Sequence, residues 1–437
     1  SVTFTIEATG GYRCGDYLSA QISDAIRTMY EHMVQDMVLN PGDIHLRSSP
    51  TPQPLGVQPG EYDYVIITTD TWVSAFQPLA DWKTQKGVPA TIVPTSWIYN
   101  SGGYNGTSAE KIRAFVIDAS THWGTIYFLL GADTNNIPPY TKYFSIGGTT
   151  EAVPSDTFYA DYDDDWVCEV HVGRASCRSS TDIATFINKV LTYEKNPPRT
   201  DYPTTAFFCG FDLQEAGSGE GEGCKEYIKT TWIPQDWTYR WEYDSETTNH
   251  KTEVLTTLNR GNHLVNHLDH SNTDFMGTGY TNHYAGITTS DALSRTNGEK
   301  QSIIYSTGCF ACNYLDDECI AEGFVHNPNG GAVAFIGNTR NGFYSPYSSD
   351  LFSNRFDRYF FQSLFNQDQY TLGVSFSDHK NTAYHDSEYY RYIFYELTLL
   401  GDPEMPIWKQ NPINMTASYP HQLPRTPSSF TITVTSD

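Results

Sequence analysis

Short, wholly apolar runs alternating with stretches of helical periodicity constrain this chain more than any other feature. Tyr64-Val65-Ile66-Ile67-Thr68, Ile126-Tyr127-Phe128-Leu129-Leu130 and Ala332-Val333-Ala334-Phe335-Ile336 are too short for ordinary helices, and they lack the polar alternation of a strand with one wet face. Such runs suit strands buried on both sides, as in parallel sheets covered by helices. Between them, Ala75 to Lys86 and Ala109 to Ser120 carry apolar residues at helical spacing, with Gly87 as a stop. The fold class expected is therefore α/β, with mostly parallel sheets flanked by helices.

A Pro-containing break at Asn196 to Pro203 divides a first α/β subdomain, 61–200, from a second, 201–411. The second holds the strands Thr205 to Cys209, His263 to Leu268 and Gln301 to Thr307, with helices around Leu315 to Phe324, Tyr359 to Leu364 and Ser387 to Leu399. Two adjacent sheets are expected in preference to one very wide one. Residues 1–60 contain an alternating strand, Val2 to Ile6, a helical stretch from Tyr17 to Met37 and a Ser-, Pro- and Gly-rich linker from Leu46 to Gly60. They read as a cap or the remnant of a pro-segment. The alternating run Phe430 to Val434 makes 412–437 the start of a truncated β domain.

With 27 basic and 51 acidic side chains the formal charge is −24, which disfavours a nucleic-acid backbone or an anionic membrane as partner. No run approaches the roughly 18 apolar residues of a membrane span, so no integral membrane association is expected. Oligomeric state has no signature here. The eight cysteines are too few to define a disulfide scaffold in a chain of 437 residues.

The chemistry gathers where two apolar runs end. His270 follows the first of them and Cys309 the second, so parallel pairing puts both at the carboxyl edge of the sheet, where open α/β sheets form their sites. An imidazole there can take the thiol proton, and the amide N–H groups of Ser271 and Cys309 can hold an oxyanion. Glu169 is a carboxylate that can orient His270. Other readings remain open. His267 and His270, with Cys309 and Cys312, have zinc-like spacing, Cys309 and Cys312 also have the spacing of a redox pair, and a buried thiol beside a hydrogen-bonded imidazole needs no function at all. Asp156, Asp161, Asp163, Asp164 and Asp165 form an acidic stretch able to wrap a hard cation, without the spacing of an EF-hand.

The ordered motifs Asp81-Trp82-Lys83, Leu130-Gly131-Ala132-Asp133, Glu169-Val170-His171-Val172-Gly173-Arg174, Val265-Asn266-His267-Leu268-Asp269-His270, Gly308-Cys309 and Leu400-Gly401-Asp402-Pro403 resemble those of the gingipain family of cysteine peptidases. The resemblance runs from about Tyr62 to Trp408 and implies a caspase-like catalytic unit that hydrolyses protein or peptide substrates. By matching positions Cys309 looks like the nucleophile, His270 the catalytic histidine and Glu169 its acidic helper. It further implies an extracellular or cell-surface location, bound calcium for which the Asp156 to Asp165 stretch is the first place to look, and an immunoglobulin-like domain after the catalytic unit. No organic cofactor is implied. Cleavage after Arg or Lys is the family expectation, with Asp182 as a candidate acidic contact to the substrate. Two departures stand out: Ser271 replaces a glycine after the histidine, and Cys312 replaces a glycine three residues past the nucleophile. They leave a rival reading, an inactive peptidase scaffold used for binding or adhesion.

Overall fold

The computed structural model describes residues 2–8, 61–246, 248–283, 286–315, 318–413, 415–418 and 428–436. The helix expected from Tyr17 to Met37 and the linker from Leu46 to Gly60 lie outside them. The chain divides into two units, 1–48 with 410–437, and 49–409. In the smaller unit, strand β1 (Val2–Ala8) runs antiparallel to Ser428–Ser436, whose other edge pairs with Met415–Ser418. The first strand thus takes its hydrogen bonds from the C-terminal one, and β1 is not a cap built from residues 1–60 alone.

In the larger unit, β2 (Tyr64–Thr68), β3 (Ala90–Pro94) and β4 (Tyr127–Leu130) start a parallel sheet. An antiparallel hairpin, β5 (Tyr140–Ile146) with β6 (Thr149–Ser155), precedes its fourth strand, β7 (His171–Arg174). The second set comprises β8 (Thr205–Gly210), β9 (Thr238–Tyr243) and β10 (Leu264–Leu268). After a small antiparallel ribbon of β11 (Ser271–Asn272), β12 (Phe275–Met276) and β13 (Ile287–Thr288) come β14 (Ser302–Ser306), β15 (Ala332–Asn338) and β16 (Leu397–Leu400). Strands β15, β14, β10, β8 and β9 are mutually parallel, and β16 closes this set antiparallel to β15. The α/β class with helical flanks is as expected. The two sheets run on into one of ten strands, in the order β3-β2-β4-β7-β16-β15-β14-β10-β8-β9, joined at the single pair Leu400 and Arg174.

Local chemistry sets the elements. Strands β2, β4, β10, β14 and β15 are buried along their whole length. The helix Ser108–Trp123 starts on a capping box, Thr107 with Glu110, and stops at Gly124, whose φ of 75° suits glycine. Two of the ordered motifs meet beneath the first strands: the buried Lys83 ammonium lies 2.6 Å from Glu194, 2.7 Å from Asp402 and 2.7 Å from Glu404. Taking a lysine out of water requires such compensation.

The helix expected from Ser387 to Leu399 ends at Glu396, and Leu397–Leu400 turns into β16. Burial is continuous across that switch, from Tyr392 to Leu400, so periodicity does not mark it; pairing with β15 decides it. The helix placed around Leu315 to Phe324 runs from Ile320 to His326.

Candidate active site

Strands β10 and β14 are neighbours in parallel register, Leu264 beside Ile303 through His267 beside Ser306, which brings the residues after them to one edge. There a cavity of about 270 Å³ is lined by Leu213, Leu268, Asp269, His270, Thr307, Gly308, Cys309, Gly342, Phe343, Tyr344 and Asn354. The two residues singled out as nucleophile and base share it.

Each is held from its own side. The Cys309 Sγ lies 3.8 Å from the Gly342 carbonyl oxygen. Burial, and next the charge of Glu396, push its thiol up to about 11, while hydrogen bonds from the backbone of Gly342 and of Cys309 itself pull the other way. The resting group is a neutral thiol that needs a base. Immediately after it Phe310 has φ of 57°, a left-handed conformation costly for a bulky residue, fixed by its N–H donating to the Arg340 carbonyl at 2.7 Å. That kink turns the chain off β14 and leaves the thiol at the cavity.

The His270 Nε2 lies 3.1 Å from the Leu213 carbonyl oxygen. A donor there fixes the tautomer and leaves Nδ1 as the basic nitrogen. Asp269 anchors the same segment: its carboxylate accepts from the His270 N–H at 2.6 Å, the Gly279 N–H at 2.8 Å and the His283 Nδ1 at 2.5 Å. The His283 ring stands edge-on to His270, with centroids 4.9 Å apart. Burial lowers the pKa of His283, yet the Asp269 carboxylate more than offsets this, so the imidazole is held above its ordinary value.

Ser271 begins β11, opposite Met276. Because the Gly277 N–H donates to the His270 carbonyl at 2.7 Å, Ser271 and Met276 form the non-hydrogen-bonded kind of pair, and the Ser271 N–H turns away from the ribbon. Its side chain presses on Gly308, where a Cβ would lie 2.0 Å from the Ser271 Oγ and 2.6 Å from its Cβ. Glycine before the nucleophile is therefore a requirement of close approach.

Four expectations need correction. Glu169 does not join His270: its carboxylate accepts from the Tyr162 N–H at 2.9 Å and belongs to a group with Asp161, Asp163 and Asp165. Three strands separate β7 from β10, four ladder steps of about 4.8 Å each. Asp156 is not free for a metal, since the buried Arg174 guanidinium takes both of its oxygens at 2.7 Å. Asp164 pairs instead with Lys142 at 2.5 Å and with the Tyr395 hydroxyl at 2.8 Å. Asp182 lies in the first turn of the helix Ser180–Lys195, accepts from the Arg178 N–H at 2.9 Å and is absent from the cavity wall.

The zinc and redox readings lose their geometry too. His267 is buried, with Nδ1 2.9 Å from the Ser306 Oγ and Nε2 2.9 Å from the Gly277 carbonyl oxygen, so both ring nitrogens are engaged. Cys312 packs in the core among Cys319, Phe324 and Phe335. Among the described residues, the one group of metal-ligand type is Asp161, Asp163, Asp165 and Glu169, whose ligand atoms lie within 4.8 Å of one another. Burial first, then neighbouring carboxylates, push Asp161 up to about 6 and Glu169 to about 8, against opposing backbone hydrogen bonds.

Residues 58–408 match the model of Peptidase family C25. Gingipain R2 of Porphyromonas gingivalis is 25% identical over 293 residues, 63% of this chain and 36% of that protein. Lys-gingipain HG66 of the same organism is 21% identical over 399 residues, 84% of this chain and 22% of the relative. The chain thus spans about a third or less of the length of these relatives. The crystal structure of the Arg-specific cysteine proteinase gingipain R superposes with a TM-score of 0.68 at 20% identity, covering 85% of this chain and 84% of that one. A family match over most of the chain, agreeing with the fold and with the place of the thiol and imidazole, identifies this chain as a member of peptidase family C25.

Proposed function

We propose that the chain is a cysteine endopeptidase that hydrolyses protein or peptide substrates through an acyl-enzyme on Cys309. The observation that carries the reading is the shared cavity: a half-buried thiol, an imidazole with Nδ1 as its basic nitrogen, and an outward Ser271 N–H at one sheet edge. His270 Nδ1 accepts the thiol proton as Sγ attacks the scissile carbonyl. The oxyanion then receives the N–H groups of Ser271 and Cys309. The imidazolium protonates the departing amine, and water activated by the same ring releases the acid. The Leu213 carbonyl, not Glu169, orients the imidazole.

Calcium is proposed as a structural ion. Asp161, Asp163, Asp165 and Glu169 present the oxygen donors a hard cation prefers, and the burial and mutual crowding that raise Asp161 and Glu169 are what a divalent charge offsets. When bound, calcium supplies the positive charge that lets these carboxylates ionise together. An extracellular or surface setting belongs to the same proposal; among the described residues no helix is long and apolar enough to cross a membrane.

The test is a peptidyl acyloxymethyl ketone followed by intact mass. One adduct on the folded chain, lost in Cys309→Ala together with turnover, is the expected result. Turnover retained by a pure Cys309→Ala sample would refute the assignment, and a folded, reduced protein that neither labels nor cleaves would return the chain to the binding-scaffold reading.

A further inference from the structure

The imidazole of His270 leans on one backbone carbonyl, and the peptide that carries this carbonyl is held from behind. Leu213 lies in the loop between β8 and the helix Glu220–Thr231, with its carbonyl oxygen 3.1 Å from His270 Nε2. The same peptide unit includes the Gln214 N–H, which a trans bond points the opposite way. That N–H donates to Glu220 Oε1 at 3.2 Å, and the Leu213 N–H donates to the same oxygen at 2.7 Å. One carboxylate oxygen thus grips two successive amides and fixes the peptide plane whose far side meets the imidazole.

Glycines bring Glu220 to this place. Gly219 has φ of 69°, a left-handed turn into the helix, and a Cβ on Gly221 would run into the Phe211 backbone. The first turn of the helix therefore lies against the start of its own loop. The loop has other anchors: the Asp212 N–H donates to Asp244 Oδ2 at 2.7 Å, and the Gly217 N–H to Asp212 Oδ2 at 2.8 Å. Those two hold the ends of the loop, whereas Glu220 holds the Leu213–Gln214 peptide itself.

We propose that Glu220 is a positioning residue for catalysis, acting on His270 through the Leu213–Gln214 peptide. The proposal rests on the peptidase reading and gives the imidazole a carboxylate at one peptide's remove. A carboxylate bonded to the amide N–H polarises the peptide and makes its carbonyl a stronger acceptor. The Nε2 proton stays on the ring throughout. The benefit arises as Nδ1 takes the thiol proton, because the new imidazolium then faces a carbonyl backed by a negative charge.

The test is kcat and KM of Glu220→Gln and Glu220→Ala on a panel of fluorogenic peptides, with a urea unfolding curve for each full-length variant. Gln keeps an oxygen acceptor for the two amides but not the charge, a difference worth about tenfold, so kcat should fall by that factor with KM little changed. Ala lets the carbonyl swing and should cost on the order of 10²-fold in kcat. Urea midpoints that move while kcat of the folded enzyme does not would make Glu220 structural only and overturn the proposal. A change in KM alone would also overturn it and make Glu220 a substrate contact, since its charge reaches Tyr344 of the cavity wall. In both cases the wild type still cleaves, and the peptidase reading stands. A wild type that cleaves no peptide and leaves Cys309 unlabelled by the ketone overturns the peptidase reading and the proposal with it.

Discussion

Gly308→Ala probes how closely the nucleophile's strand and the oxyanion ribbon must approach. The added methyl would sit 2.0 Å from the Ser271 Oγ and 2.6 Å from its Cβ. Carbon atoms settle at about 3.5–4.0 Å, so Cβ and Cβ must separate by about 1 Å. Rotating the hydroxyl relieves the first contact but not the second, so the backbone of Ser271 has to move. That backbone carries the proposed oxyanion donor. A 1 Å misplacement costs on the order of 10²-fold, similar to losing one oxyanion donor. Stability should fall by about 1–3 kcal/mol, the usual range for overpacking. The assay is kcat/KM on a peptide substrate beside a urea unfolding curve. Ser271→Gly in the same chain removes both clashing atoms and leaves the Asp269 carbonyl, 3.0 Å away, as the next contact. The double variant should recover most of the lost rate. Full activity in Gly308→Ala, or a double variant no better than the single, would refute the reasoning.

Cys309, Glu169 and Asp182 each give a further test. Because the Cys309 thiol is pushed up to about 11, above its ordinary value, the thiolate fraction grows as pH rises toward that point. Inactivation by iodoacetamide should climb about tenfold per pH unit from 7 to 10, whereas a plateau below pH 8 would mean a resting thiolate–imidazolium pair. Calcium should raise the melting temperature of the wild type, and Glu169→Gln should abolish that rise while leaving calcium-free ketone labelling of Cys309 intact; loss of labelling would restore Glu169 to the catalytic machinery. Asp182→Ala should cost about 0.5–1 kcal/mol of stability through the helix start, with the ratio of Arg to Leu cleavage unchanged. A selective loss of Arg cleavage would make Asp182 a substrate contact after all.

Much of the sheet was legible because its strands are buried on both faces. Tyr64 to Thr68 and Ala332 to Ile336 stand where their apolar runs place them, since a strand without a wet face has no alternation to mislead the reader. Elements whose existence depends on a distant partner were not legible. The hairpin of β5 and β6 alternates weakly and pairs only with itself, β9 lies at a sheet edge, and β16 is an apolar segment that would serve equally well as the last turn of its helix. Sheet width was obscure for the same reason: one residue pair, Leu400 with Arg174, joins the two halves, and nothing local to either residue announces it.

The site divides along a different line. Cys309 and His270 were readable because a parallel strand delivers whatever follows it to a known edge, and thiol and imidazole are chemically distinctive there. The group that orients the imidazole is a backbone carbonyl, at Leu213, and every residue carries one. A reader seeking a third side chain therefore turns to a carboxylate at a matching position, and Glu169 offered itself. What decided against it is the path of residues 155–170, which folds Glu169 onto Asp161, Asp163 and Asp165 three strands from β10. Asp269 was in view throughout, one residue before His270, yet its effect passes through amide N–H groups and the His283 ring, across the turns that follow β10. Net charge guides the reader to specificity even less than a carboxylate guides the reader to the imidazole's partner. The charge of the whole chain, −24, suits basic substrates, but selectivity is set by the few side chains that meet the substrate out of water, and at the cavity these mix Leu213, Leu268 and Phe343 with Thr307, Tyr344 and Asn354. Net charge can hasten the arrival of a basic protein; it does not choose the bond cut within it.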